Sequence, residues 1–94
     1  MNRFQEELLT WPAKFAEEDF DPPSDRIRAL AFQLSEMVHP DYRMMPDADG
    51  GVVFKCISGD HTLKYHVWDD GSIDFVHMKV CKVVVRCRLT ITTC

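Results

Sequence analysis

From Asp49 to Thr93 the chain runs as short stretches of alternating apolar and polar residues, broken by turn formers, beginning DGGVVFKCISGDHTLKYHVWDDGSIDFV. A period of two places successive side chains on opposite faces of a pleated strand. Repeated over several short runs, it restricts the segment to an antiparallel meander. The expected strands are 52–57, 62–68, 72–78 and 82–92. Gly71 in Asp69-Asp70-Gly71 suits a three-residue hairpin loop whose last member takes positive φ. Ser58-Gly59-Asp60-His61 suits a four-residue connection. The third connection, Lys79-Val80-Cys81, contains no turn former and is where a register slip would start.

In phase, one face carries Val52, Phe54, Cys56, Leu63, Tyr65, Val67, Ile73, Phe75, Val83, Val85, Cys87, Leu89 and Ile91. This nearly unbroken apolar set is expected to receive the helices. The opposite face is mixed rather than solvated, which is unusual for an antiparallel sheet. It carries Val53, Lys55, Ile57, Thr62, Lys64, His66, Trp68, Asp74, Val76, Met78, Lys82, Val84, Arg86, Arg88 and Thr90. The loop lengths set Lys55 opposite Lys64, a like-charge pair that costs stability unless an anion lies near. They also set His66 opposite Asp74, with Arg86 on the far side of Asp74.

The segment before the sheet reads as helical cover. Phe4, Leu8, Trp11 and Phe15 mark one helical face over about 3–18, with Pro12 expected to kink or end the helix near Trp11. Asp19-Phe20-Asp21-Pro22-Pro23 is a linker. Ser24 is an N-cap candidate, with Asp25 favourably placed on the helix dipole. Ile27, Leu30, Ala31, Leu34 and Val38 then define a helix over about 25–38, stopped before Pro40. Asp41 to Met45 is either a short edge strand or irregular. The expected fold is therefore α+β, a single domain over 1–94. Two N-terminal helices pack on one face of a four-stranded antiparallel meander.

Charge divides along the same line. Residues 1–50 hold 5 Lys/Arg against 11 Asp/Glu, and residues 51–94 hold 6 against 4. The acidic whole disfavours a dedicated DNA binder, while the basic half leaves room for a local anion site. No apolar run is long enough for a membrane span, and acids interrupt the N-terminal MNRFQEELL, so a cytoplasmic protein is expected. Its four cysteines lack C-x-x-C spacing and are read as reduced thiols.

Recognised catalytic and cofactor chemistry is not legible. Cys56 and His77 both flank Leu63, which places them two strands apart, roughly 9–10 Å, too far for thiol activation. Asp47 and Asp49 before Gly50 lack the remaining ligands of a calcium loop, because Val52 and Ser58 occupy its glycine and glutamate positions. Cys81, Cys87, His61 and His66 have no zinc-site spacing. No phosphate-binding loop, G-x-S-x-G or H-E-x-x-H occurs. No catalytic residue, metal or cofactor is assigned.

Asp21-Pro22-Pro23-Ser24, Pro46 to Phe54 and Asp70-Gly71-Ser72-Ile73 together resemble a loose group of small uncharacterised bacterial α+β proteins. In these, a Pro-containing helix start precedes a P-x-x-D-G-G-V turn and a D-G-S-I hairpin. The resemblance implies a fold and carries no activity with it. The departure is Lys79-Val80-Cys81, where such proteins tend to show a turn containing Gly or Asp.

These readings converge on a non-enzymatic, cytosolic protein-interaction module, of the kind expected of an antitoxin-like or inhibitor-like bacterial accessory protein. It would bind a protein partner or a second copy of itself through the outer sheet face. The expected contact residues are Val53, Lys55, Lys64, His66, Trp68, Val76, Met78, Val84, Arg86 and Arg88. Nucleic-acid or anion binding through the basic residues of that face is the alternative. A thiol-dependent enzyme is the third reading.

Overall fold

A computed structural model describes residues 1–17, 22–80 and 82–89. The expected last residue of the first helix (18), the start of the expected linker (19–21), the last residue of the expected third connection (81) and the expected end of the last strand (90–92, with Ile91) lie outside the described residues. Two helices precede one sheet: α1 (Arg3–Glu17), α2 (Asp25–Leu34) with a 3-10 turn at Ser35–Met37, then β1 (Arg43–Pro46), β2 (Val52–Ser58), β3 (His61–Val67), β4 (Ile73–Lys79) and β5 (Lys82–Leu89). The strands are antiparallel neighbours in the order β1-β2-β3-β4-β5. The sheet therefore has five strands where four are expected. The added one is the Asp41–Met45 ambiguity resolved as an edge strand, with Met44 opposite Phe54 and Arg43 opposite Lys55.

Both helices start where side chains supply the missing partners. Asn2 Oδ1 accepts from the Gln5 backbone N–H at 2.9 Å, and Gln5 Oε1 accepts from the Asn2 N–H at 3.1 Å. This reciprocal pair has the logic of a capping box. The Ser24 hydroxyl accepts from the Ile27 N–H at 3.4 Å, capping α2 as expected. Gln5 is itself buried and donates to the Phe32 carbonyl at 3.1 Å, fastening α1 to α2. Helix α1 runs on through Pro12, contrary to the expected break near Trp11. Proline removes one backbone hydrogen bond and crowds the preceding turn. Here Trp11 and Phe15, on either side of it, are both buried with ring centroids 5.4 Å apart, so tertiary packing holds the two turns in line. Helix α2 ends four residues earlier than expected. Val38 is already extended, in step with His39-Pro40.

The core joins Phe4, Leu8, Trp11 and Phe15 of α1, Ile27, Ala31 and Leu34 of α2, and Val52, Phe54, Val67 and Ile73 of the sheet. Phe4 meets Phe54 edge-on at 5.4 Å. The helices cover only part of the inner face. Cys56, Leu63, Tyr65, Phe75 and His77 are half-buried, and Val85 and Cys87 are exposed. The cause is where the helices pack: their buried residues meet Val52, Phe54, Val67 and Ile73, at the end of the sheet away from the β2–β3 and β4–β5 hairpins. The hairpin end thus projects beyond its helical cover.

The register agrees with the expected pairings through β4: Phe54 faces Tyr65, Tyr65 faces Phe75, and Lys55 faces Lys64. Beyond β4 it changes. A bulge at His77/Met78 sets His77 opposite Val85 but Met78 opposite Val83. Val83 therefore shares the outer phase of Met78 rather than the inner phase expected, and Val84 is the additional residue. Arg86 and Arg88 keep the outer face, opposite Val76 and Asp74.

Candidate functional site

The pairing lines up the outer face in rows. One crosses all five strands: Arg43, Lys55, Lys64, Val76, Arg86. Adjacent strands lie about 4.8 Å apart, so three cations stand in consecutive positions and a fourth follows after the valine. Among the described residues, none of these four takes part in an ion pair. The next row is Met45, Val53, His66, Asp74, Arg88, which holds the acid that the first lacks.

That acid is already engaged. Asp74 accepts from the Trp68 indole N–H at 2.8 Å and from Arg88 Nε at 3.2 Å. The indole hydrogen bond, followed by Arg88 and the charge of Arg86, holds the Asp74 carboxyl below the usual carboxylate range. His66 does stand opposite Asp74, but its imidazole turns to Asp47, with Nε2 2.8 Å from Oδ2. It also stacks on Trp68 at 3.7 Å between ring centroids. Asp47 opens the β1–β2 turn, where its N–H donates to the Gly51 carbonyl at 2.9 Å. The chain Asp47–His66–Trp68–Asp74–Arg88 therefore braces one end of the outer face.

Of the ten residues expected to make partner contact, the row brings together Lys55, Lys64, Val76 and Arg86. Val84, Arg86 and Arg88 are exposed, and Val53, Lys55, Lys64, Trp68 and Met78 are half-buried. Two do not offer the surface expected. Val76 is only 5% exposed and His66 only 8%. Val76 lies between Lys64 and Arg86, and the aliphatic stems of such long cations cover apolar neighbours while their charges stay in water. His66 is closed off by Trp68 and the Asp47 turn. On the sheet, the exposed apolar surface is mostly at the hairpin end, at Ile57, Val80, Val83, Val84 and Val85, with Met45 on edge strand β1. Sequence reasoning missed Arg43 and Asp47. No local signal marked them, because β1 is only four residues long and Asp47 reaches His66 across the turn.

On the inner face, Cys56, Leu63 and His77 lie in one row, so the cysteine and histidine are separated by a whole strand, as the spacing implies. His77 meets another histidine. Its Nε2 is 2.9 Å from His61 Nδ1, with the rings stacked at 5.1 Å. His61 Nε2 in turn is 3.4 Å from Asp60 Oδ1. This Asp60–His61–His77 series sits on the part of the inner face that the helices leave open. Among the described residues, no three or more His, Cys, Asp or Glu side chains converge as a ready-made metal cage. Nor is any helix long and apolar enough to cross a membrane.

Searches against protein-family models, curated proteins and solved structures found no match to the chain.

Proposed function

We propose that the chain is a small protein-interaction module whose outer sheet face binds an acidic surface on a partner protein. The observation that carries the reading is the row Arg43–Lys55–Lys64–Arg86, which has no acid pairing with it among the described residues. Like charges directly opposite one another on neighbouring strands destabilise a sheet. An acidic partner relieves that repulsion and gains steering and register from it. The exposed apolar residues at the hairpin end of the same sheet, Ile57, Val83 and Val84, supply surface for burial beside the charges. Pairing of two copies face to face through this row sets cations against cations, so the charge pattern favours a different protein over a homodimer. An antitoxin-like or inhibitor-like accessory role accords with such a binding surface.

Nucleic acid is the second reading, favoured by the same four cations. Two features weigh against it. The formal net charge is -4, and the outer-face aromatic Trp68 is held by His66 and Asp74 instead of standing free as a stacking platform.

Affinity purification from the source cells tests both readings, comparing wild-type bait with Lys55→Glu/Lys64→Glu at low and high salt. A protein retained by wild type, released by salt and lost with the double variant is the expected result. Capture indifferent to both salt and charge reversal overturns the outer-face site. Capture abolished by nuclease transfers the function to nucleic acid.

A further inference from the structure

Apart from the outer face, the inner face carries a pair of imidazoles aimed at one another. His61 begins β3 and His77 lies near the end of β4, on the projecting end of the sheet, and both rings are half-exposed. Their facing nitrogens, His61 Nδ1 and His77 Nε2, are 2.9 Å apart. The far nitrogen of His61, Nε2, is directed to the Asp60 carboxylate at 3.4 Å. With the His61 proton placed on Nε2, beside the Asp60 carboxylate, the Nδ1 atom presents a lone pair. A single proton on His77 Nε2 then completes the series.

We infer that this pair is a binding site for a late first-row divalent metal ion, which replaces the one proton held between the two rings. Three features of the geometry support the assignment. Imidazole nitrogens bind such ions at about 2.0–2.1 Å, so two nitrogens now 2.9 Å apart reach one ion at about 90° once both rings swing off their shared axis. That is the angle between neighbouring ligands in square-planar or octahedral coordination, the geometries of Cu2+ and Ni2+, and it is narrower than the tetrahedral angle of Zn2+. A carboxylate on the far nitrogen is the usual support of a metal-binding histidine, fixing its tautomer and raising its basicity. Asp60 stands beside that nitrogen, 3.4 Å from it. Finally, the incomplete helical cover leaves the outer side of the pair to solvent, so water fills the remaining coordination positions. With two protein ligands and the cationic Lys79 directly across from His61, the site is an exchangeable one. It discriminates by ligand softness, taking Ni2+ or Cu2+ and rejecting Mg2+ and Ca2+, which require oxygen ligands.

The test uses the full chain in reduced form and Ni2+ as the probe, which avoids the oxidation of thiols by Cu2+. Paramagnetic Ni2+ is titrated while backbone amide resonances are followed by NMR. Broadening is expected to centre on 60–62 and 76–78, with Mg2+ causing none. His77→Ala and, independently, His61→Gln are each expected to weaken Ni2+ binding at least about tenfold. Asp60→Asn is expected to weaken it while leaving the centre of broadening in place. Unperturbed spectra of the metal-free variants establish that they fold. Broadening centred on His39 or His66, or equal Ni2+ affinity in the wild type and both histidine variants, overturns the site.

Discussion

Gly51 passes so close to Val67 that a β-carbon built on it would lie 2.3 Å from the Val67 carbonyl oxygen. The obstacle is backbone, not a flexible side chain, so β2 and β3 would have to move apart at the point where Val52 and Val67 enter the core. Gly51→Ala is therefore expected to lower stability by about 1–3 kcal/mol, the range for forcing atoms into a packed interior. A fall in the urea midpoint checks it. An unchanged midpoint would show that the β1–β2 turn moves away at no cost.

The same turn is pinned from the opposite side by Asp47 and His66, whose side chains are 22% and 10% exposed. Removing one partner leaves the other polar and largely buried, at a cost of about 1–3 kcal/mol. Asp47→Ala and His66→Ala should each destabilise within that range. The double variant should fall well short of the sum, because the second change removes a group already deprived of its partner. Additive effects in urea melts would show that the contact contributes nothing.

Asp74 gives the fold a defined acid sensitivity. The Trp68 indole hydrogen bond and the positive charge of Arg88 lower its pKa in the folded state. As pH falls through the ordinary carboxylate range, the unfolded chain takes up the proton first. The stabilisation is thus complete above the unfolded pKa and is lost as pH falls through the lower folded one. Asp70, held down by hydrogen bonds from Ser72, acts in the same direction from an exposed position. Asp74→Asn is expected to flatten the loss of stability between about pH 5 and pH 2. Thermal melts across that interval measure it, and an unaltered slope would assign the acid sensitivity to other carboxylates.

How far the fold could be read from the sequence depended on whether the signal was local. Strand alternation fixed which residues of β2, β3 and β4 share a face, and the Asp69–Gly71 loop has the expected positive φ at Gly71. The Ser24 cap was equally legible, because its partner lies three residues away. What escaped depends on distant contacts. Pro12 stays helical because Trp11 and Phe15 are buried against the rest of the core. Strand β1 is four residues long, too short to show a period, and exists because β2 offers it an edge. The burial of Val76 and His66 arises from neighbours on other strands and from the Asp47 turn. The unpaired cation row was half visible as Lys55 opposite Lys64, but its extension to Arg43 required β1.

Tyr42 adds a sensitivity at the alkaline end. Burial, and then the neighbouring Tyr65 ring 5.7 Å away, push its pKa upward. Above the ordinary phenol pKa the unfolded chain loses this proton while the folded chain retains it, so stability falls as pH rises. Tyr42→Phe is expected to reduce that alkaline slope. Denaturant midpoints at pH 9 and above compare the two, and parallel curves would count against the assignment.

Val80 lies in the connection between β4 and β5. It takes φ of 50°, and a β-branched side chain in the left-handed region is a genuine outlier. The conformation is held from outside the turn, by the Val80 N–H donating to the Asp60 carbonyl at 2.9 Å and by the bulge that begins at His77/Met78. Asparagine or glycine adopts this φ at lower cost, and both are the residues that short hairpin turns ordinarily carry. Val80→Asn and Val80→Gly are thus expected to stabilise the protein by about 1 kcal/mol, the scale of the left-handed penalty. Both variants also remove an exposed apolar side chain beside Val83 and Val84. Chemical denaturation gives the stability, and amide exchange along Lys82–Leu89 locates the gain. Faster exchange there, or a lower midpoint in both variants, would show that the valine side chain contributes packing that outweighs its backbone strain.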